Sequence, residues 1–216
     1  MAIEYRGCRQ LVYAPVTADA VTGITFGAVK TLAPVQKISH EATRENKKVY
    51  YDDELTNVIY GKSAGTVTFT IGVPSDEVLA DIQGKFYDPT TGAFSDTDSN
   101  EDKFFACGYI MGEVGDAEDE DYVWKCKGTF EVTGTEHVTK DDGTDTTNIT
   151  LAYTCVDPKA RFTHGGADGM GGKSKGVRVK ASKSTMTEEV FFATAQTIDT
   201  YLAYEPEDPE DPPEGE

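Results

Sequence analysis

A glycine-rich stretch late in the chain has the residue types of a phosphate-binding loop. Ala167-Asp168-Gly169-Met170-Gly171-Gly172-Lys173-Ser174 fits the permissive form of that motif, with alanine in place of the first glycine. Such loops bind phosphates through backbone amides and the dipole of a helix that follows, and they need a buried strand before them. The next residues, 176–180, alternate as in a strand. The sequence therefore disfavours a nucleotide-dependent enzyme built around Lys173.

The residue types that catalysis and metal binding require do not cluster in this sequence. His40, His137 and His164 lie in polar contexts without the spacing of metal ligands. None of the serines or cysteines lies in a recognisable nucleophile elbow. Cys8, Cys107, Cys126 and Cys155 are far apart, which favours free and mostly buried thiols. We therefore expect no catalytic residue, no metal, no cofactor and no enzymatic activity.

The net charge of −18 is unevenly distributed. Residues 205–216 hold seven acids and no base, and residues 113–121 hold six acids. Seven basic residues lie between 159 and 183, with one acid among them. A phosphate backbone is bound by Lys and Arg, so the overall charge argues against nonspecific attachment to nucleic acid. Neither a signal peptide nor an apolar run of membrane-spanning length is visible, which predicts a cytoplasm-like setting and no membrane.

A polar, charge-rich segment, residues 40–63, lies between two predicted strands. Upstream, residues 32–39 alternate in part, and downstream, residues 65–71 alternate polar and apolar side chains as a half-buried strand does. Connections longer than about 12 to 15 residues are uncommon in a compact domain, and those that occur are usually functional. We therefore predict that residues 40–63 form a long extended arm loop.

Charge is segregated along this arm. Four basic residues from position 37 to position 48 come early, with only Glu41 and Glu45 among them, two tyrosines follow, and three acids come together afterwards. Like charges grouped in this way repel one another and favour complementary charge on another copy, which steers association and sets its register. The predicted inter-subunit residues are Lys37, Arg44, Lys47, Lys48, Tyr50, Tyr51, Asp52, Asp53 and Glu54.

The elements that position the arm are mostly strands. Aromatic and β-branched residues, threonine and glycine are plentiful and long helix-period segments are few, which predicts a β-dominated α+β fold. A first strand at residues 9–14 is expected to end at Pro15. Ser75 predicts the N-cap of a helix that Gly84 ends. Asp141-Asp142-Gly143 predicts the turn of a hairpin between long strands.

The C-terminal part of the chain is expected to change from helix to disorder. Thr185 and Glu188 form a candidate capping box for a helix over residues 188–201. The prolines and like charges of residues 204–216 cannot form a core, so this acidic segment is expected to be disordered. We predict one β domain over residues 1–203, including the arm and a glycine-rich loop at residues 165–176.

With its elements in this order, the sequence resembles the major tail proteins of long-tailed, non-contractile bacteriophages, which are the subunits of the tail tube. The likeness extends from the start of the chain to about residue 155, and each motif is weak when taken alone. The motifs are Tyr5-Arg6-Gly7, Leu11-Val12-Tyr13-Ala14-Pro15, Phe26-Gly27-Ala28-Val29-Lys30, Leu32-Ala33, Tyr50-Tyr51-Asp52-Asp53, Ala64-Gly65-Thr66-Val67-Thr68-Phe69, the helix after Pro74, Phe105-Ala106-Cys107-Gly108-Tyr109 and Tyr122-Val123-Trp124-Lys125-Cys126-Lys127-Gly128-Thr129-Phe130.

The resemblance implies a structural role. It implies two packed antiparallel sheets, sandwich-like or barrel-like, with a flanking helix, and subunits that close into hexameric rings stacked into a tube. An acidic wall repels phosphates, so DNA would pass through the lumen without specific binding. The implied partners are other copies of the chain and tail terminator, tape-measure and distal tail proteins. The implied locations are the virion tail and, during assembly, the host cytoplasm.

An immunoglobulin-like sandwich is the alternative. Cys107, Trp124 and Cys155 imitate the cysteine, tryptophan, cysteine order of such domains. That interpretation predicts a monomeric adhesion or binding module, displayed on a virion or cell surface and dependent on a bond between the two cysteines. The missing secretion signal and the two additional cysteines count against it.

Overall fold

The protein has a β-dominated α+β fold. The computed structural model describes residues 4–43, 46–51, 54–60, 64–95, 103–114, 119–135, 148–166 and 171–206. Within these ranges the helices are α1 (Asp76–Gln83), α2 (Glu188–Ala193) and α3 (Ile198–Leu202). The strands are β1 (Glu4–Ala20), β2 (Gly23–Phe26), β3 (Lys30–Thr31), β4 (Val35–Thr43), β5 (Asn46–Tyr51), β6 (Glu54–Tyr60), β7 (Ala64–Gly72), β8 (Tyr87–Asp88), β9 (Ala93–Phe94), β10 (Phe105–Val114), β11 (Glu120–Thr135), β12 (Asn148–Cys155) and β13 (Gly176–Lys180).

Nine of these strands form one antiparallel sheet in the described part of the chain. Its order is β2-β1-β10-β11-β12-β7-β4, with β3 paired to β1 and β13 paired to β11. β5 and β6 form a separate two-stranded sheet, and β8 and β9 form another. The large sheet is not a closed barrel, because β2 and β4 remain at its two ends.

The nine-stranded sheet curls so that its two halves pack face to face. Phe69 on β7 and Tyr109 on β10 lie on strands that are not neighbours in the sheet, yet their ring centroids are 5.6 Å apart. His40 on β4 also lies beside Tyr109, at 5.7 Å. The two halves enclose an inner core whose largest buried members are Leu11, Tyr13, Phe69, Ile71, Phe105, Tyr109, Leu151 and Tyr153.

The structure thus has one continuous sheet where two separate packed sheets were expected, and β11 is the reason. This strand is 16 residues long. Its first half pairs with β10 and β13, and its second half pairs with β12. Gly128 is in register with both Phe105 on β10 and Cys155 on β12, so it marks the change of partner. A single strand shared by both halves makes the sheet continuous.

The opposite face of β1, β10 and β11 is also apolar. Successive side chains of a strand point to opposite faces, so Ile110 and Trp124 point away from the inner core. They form an outer core with Phe191 and Phe192 of α2. Trp124 Nε1 donates a hydrogen bond to the carbonyl of Phe191 at 3.0 Å. The C-terminal segment therefore covers this face of the sheet.

The predicted helix over residues 188–201 is wrong in its extent. α2 ends before Thr194, whose backbone is extended, and a second short helix, α3, follows. The N-cap of α2 is Thr187, not Thr185, and a capping box forms instead at the start of α3, on Thr197. Threonine hydroxyls compete with the helix for backbone hydrogen bonds, so they favour caps over helix interiors. Several threonines in this stretch therefore divide it.

The prediction for α1 is confirmed. Ser75 is the N-cap and Gly84, with a φ of 65°, ends the helix in the left-handed conformation. Ile82 enters the inner core. Asp81 accepts a hydrogen bond from the hydroxyl of Tyr13 at 3.0 Å. The helix therefore covers one end of the inner core and connects to β1.

Some predictions fall partly outside the described residues. The hairpin turn at residues 141–143 and residues 207–216 of the acidic segment lie there. The antiparallel pairing of β11 with β12 confirms the hairpin itself. Tyr204, the first residue of the acidic segment, packs against the outer core. In the described ranges, every helix is too short or too polar to span a membrane.

Candidate assembly surface

The segment predicted as an arm loop is a β-hairpin in the structure. β4 continues to Thr43, which is in register with Ala64 at the start of β7. Beyond that pair, β5 and β6 form an antiparallel ladder of their own, from Asn46 opposite Tyr60 to Tyr51 opposite Glu54. We call β5 and β6 the arm hairpin. The prediction of an extended loop is therefore wrong in its local structure, because backbone pairing orders this segment despite its polar sequence.

The arm hairpin has few contacts with the rest of the molecule. Among the described elements, β5 and β6 have extensive contacts only with each other. β5 has six residues and therefore extends about 20 Å, at the usual rise for a strand of about 3.3 Å per residue. A lone two-stranded hairpin is at best marginally stable in water. An external surface that covers the hairpin would therefore stabilise it.

The predicted inter-subunit residues are spread along this ribbon. Lys37 is exposed on β4, opposite Thr70 of β7. Lys47 and Lys48 lie on β5, in register with the apolar residues Ile59 and Val58 of β6. Tyr50, Tyr51 and Glu54 lie at the far end of the hairpin, whereas Arg44, Asp52 and Asp53 lie outside the described residues.

The base of the ribbon is held firmly by the body. Ile38 of β4 is in register with Phe69 and packs against the inner core. The Nε2 atom of His40 lies 3.4 Å from the sulfur of Met111 on β10. Partial burial lowers the pKa of His40, and the nearby Lys125 cation lowers it further. His40 therefore joins the base of the ribbon to β10 through its contacts with Met111 and Tyr109.

The edge of β4 that faces away from β7 pairs with no strand in the described part of the sheet. Unpaired N–H and C=O groups on an edge strand are able to pair with another chain. β4 also contacts β1, so only the part of its edge that β1 leaves uncovered is able to pair with another chain. Together with the charged residues further along the ribbon, that part suits contact with a second protein surface.

Part of the acidic run at residues 113–121 has a structural role. Asp119 accepts hydrogen bonds from the amide of Ser182 at 3.0 Å and from its hydroxyl at 2.6 Å. These bonds lower the pKa of Asp119. Asp121 is buried and forms an ion pair with Arg178. These acids therefore fasten the strand β13 and the turn after it to β11.

Glu120 takes part in a second ion-pair cluster. Arg9 of β1 donates to both oxygens of Glu120, at 3.0 and 2.6 Å, and to both oxygens of Glu188 at 2.6 Å. Hydrogen bonds from the guanidinium lower the pKa of Glu188. The cluster joins β1, β11 and the first turn of α2, so Glu120 also contributes to internal cohesion.

The glycine-rich loop lacks the surroundings of a phosphate-binding loop. Phe162 and Gly172 are bridged at its base by two backbone hydrogen bonds, of 2.8 and 2.9 Å. The chain then continues from Lys173 into the strand β13 rather than into a helix. The positive end of a helix dipole, which such loops direct at the phosphates, is therefore not supplied by the residues after the loop.

Three of the described cysteines are buried, and one described histidine contacts a carboxylate. Burial raises the pKa of the Cys126 thiol to about 12 and also raises the pKa values of Cys107 and Cys155. His164 Nδ1 lies 3.2 Å from a carboxylate oxygen of Asp199. Within the described ranges, no group of three or more His, Cys, Asp and Glu side chains is placed to hold a metal ion.

The chief features of the surface are therefore the arm hairpin, the unpaired part of the β4 edge and the unequal distribution of charge. Sequence reasoning located the arm and its charged residues, but it missed the edge of β4, because strand order is a long-range property. Comparison with known proteins adds no assignment, since the chain matches no protein-family model and no curated protein.

Proposed function

We propose that this chain is a structural subunit of a bacteriophage tail tube, which self-assembles into stacked hexameric rings around a lumen for DNA. The observation that carries the proposal is the arm hairpin. It extends from a well-packed β body and has extensive contacts only within itself among the described elements. Such an element suits a protein whose mechanism is assembly.

The end strand β4 supports the same proposal. A contact between two different surfaces of identical subunits closes into a ring when its rotation permits, and it does not bury the same patch on both partners. The part of the β4 edge that β1 leaves uncovered and the arm hairpin are two such different surfaces on one ribbon. We infer that one of them forms contacts within a ring and the other forms contacts between rings.

The finer fold expectation belongs to this proposal. We infer that the two halves of the curled sheet, joined through β11, take the place of the two packed sheets that the resemblance implies. The immunoglobulin-like alternative depends on a bond between Cys107 and Cys155, and both are free thiols in the structure. We therefore do not propose a surface-displayed binding module.

Removing the arm hairpin tests the proposal. Residues 44–63 are replaced by Asn-Gly, a two-residue turn that suits the pair Thr43 and Ala64 at the end of the β4–β7 ladder. We expect the variant to be a folded, soluble monomer that forms no tubes, as judged by light scattering and negative-stain electron microscopy. Wild-type protein at the same concentration should form them. Tubes of normal appearance from the variant would contradict the proposed role of the hairpin.

A charge reversal gives a milder version of this test. Asp52, Asp53 and Glu54 are replaced by lysine, which should slow assembly at low salt. The difference from wild type should shrink in about 0.5 M NaCl, where charges are screened beyond a few ångströms. The matched control reverses three exposed acids away from the hairpin, which are Glu131, Glu189 and Glu205. Equal slowing in both variants would show an effect of net charge alone.

A further inference from the structure

Two cations flank the base of the glycine-rich loop, one on each of the two segments that pair there. Phe162 and Gly172 form an antiparallel bridge there, and Arg161 and Lys173 are the next residues outward on each side. Lys159 precedes Arg161 by two residues, and all three basic residues are exposed. We call Lys159, Arg161 and Lys173 the basic collar. Like charges held opposite each other destabilise a strand pair, so this arrangement favours an added anion.

The acids near the collar are already bonded to other groups. Asp199 accepts hydrogen bonds from the amides of Thr163 and His164, at 2.6 and 3.1 Å. Asp157 pairs with Lys175 at 3.4 Å. Within the described ranges, no carboxylate forms an ion pair with the side chains of the collar. The collar therefore remains a positive patch on a chain whose net charge is −18.

The chain leaves its last helix beside Thr163 and His164, which follow Arg161 by two and three residues. Leu202 and Ala203, at the end of α3, line a shallow cavity together with Thr163, His164 and Asp199. Residues 207–216 follow a few positions later and carry six acids and no base. An extended chain covers about 3.3 Å per residue, so these carboxylates are within reach of Lys159 and Lys173.

We propose that residues 207–216 dock on the basic collar of the same chain. Prolines at 209, 212 and 213 disfavour a helix or a strand in this segment, and an extended chain suits an exposed row of cations. A short tether gives the segment an effective concentration in the millimolar range, so weak individual ion pairs suffice. Docking places opposite charges together and relieves the repulsion between Arg161 and Lys173.

Zero-length carbodiimide cross-linking of the full chain tests this docking. The reagent joins a carboxylate to a lysine amine only where the two are in contact. On monomer isolated by size exclusion, we expect peptide mapping to find amide links from residues 207–216 to Lys159 and Lys173. About 0.5 M NaCl should reduce their yield, because the contact is exposed to screening.

Arg161→Glu gives the decisive variant, because arginine accepts no cross-link and both lysine acceptors remain. It should lower the yield at Lys159 and Lys173 about three- to tenfold, given the strength of exposed ion pairs. Lys183→Glu is the control with the same charge change, in the short turn of 3-10 helix that follows β13. Its yields should equal those of wild type.

Three results would overturn the docking proposal. The links could spread equally over other surface lysines such as Lys183, the yields could be unaffected by Arg161→Glu, or the links could occur only between two copies in cross-linked dimers. Each would show that the segment does not dock on its own collar. All cross-link yields are measured on isolated monomer, so they do not depend on whether the protein forms tubes.

Discussion

Lys127 and Asp19 form the most buried ion pair that the structure describes. The Nζ atom lies 2.8 Å from Asp19 Oδ2, and both side chains are 9% exposed. The ammonium group also lies 4.2 Å from the centre of the Phe104 ring. Burial alone would raise the pKa of Asp19, but Lys127 and two backbone amides, of Lys159 and Ala160, lower it below its usual value. The pair joins β1 and β11 to the chain before the glycine-rich loop.

Replacing Lys127 by methionine should therefore destabilise the fold strongly. The methionine fills the same space but leaves the Asp19 carboxylate buried without its cation, which costs about 3 kcal/mol or more. The free energy of unfolding, measured by urea titration at pH 7, checks this. The loss should be smaller below pH 3.8, the ordinary pKa of the carboxyl. A depressed pKa contributes stability above the unfolded value, and protonation of Asp19 removes that contribution.

Lys175→Met is the matched control for this prediction. Lys175 pairs with Asp157 at 3.4 Å, but the two side chains are 37% and 31% exposed. Exposed pairs contribute at most about 1 kcal/mol, so this variant should unfold nearly as wild type does. If the two variants lost the same free energy of unfolding, burial of the pair between Lys127 and Asp19 would not explain the loss.

Among the elements, β11 is the one that decides the shape of the sheet, and Gly128 is its critical position. A Cβ atom there would lie 2.5 Å from the carbonyl oxygen of Thr154 and 2.8 Å from Cε1 of Tyr153. Both neighbours belong to β12, and Tyr153 is fully buried, with its hydroxyl bonded to the carbonyl of Phe105 at 2.8 Å. Neither neighbour is able to move without disturbing the inner core.

Gly128→Ala should therefore cost about 2 to 3 kcal/mol of stability, as overpacked cores usually do. The measurement is again the free energy of unfolding by urea. Gly134 on the same strand is the matched control, since a Cβ atom there would approach nothing closer than 3.8 Å. Gly134→Ala should be neutral or stabilising within about 1 kcal/mol, because alanine loses less backbone entropy than glycine. Equal losses at the two positions would contradict a steric cause.

For the whole molecule, the acidic segment should contribute almost nothing to folding. Cutting the chain after Tyr204 keeps the side chain that packs on the outer core and removes only acids, prolines and a glycine. In about 0.5 M NaCl, where docking on the collar is screened, we expect the melting temperature to stay within about 2 °C of wild type. A larger drop by calorimetry would mean that residues 205–216 belong to the folded body.

The predictions that the structure confirms rest on local signals. Ser75 and Gly84 bound α1 because capping and the left-handed end of a helix depend on a few neighbouring residues. The alternation at residues 65–71 matches β7, since one of its faces is buried in the inner core. The expected strand end at Pro15 is wrong because β1 changes partner there, from β10 to β2. Pro15 has no backbone N–H group to donate, and this costs little stability where the strand passes from one partner to the next.

The arm and the large sheet have features that local sequence patterns did not predict. Charge and composition indicated the position of the arm and its lysines, because both are properties of a continuous stretch of sequence. The hairpin pairing of β5 with β6 joins residues close in sequence, but its polar composition did not reveal it. The sharing of β11 between two halves of one sheet depends on backbone hydrogen bonds between distant residues. Which residues become paired is settled by how the whole chain buries its inner and outer cores. The position of the collar near the end of α3 depends on the same folding, because Thr163, two residues after Arg161, lies beside Ala203 only through tertiary packing.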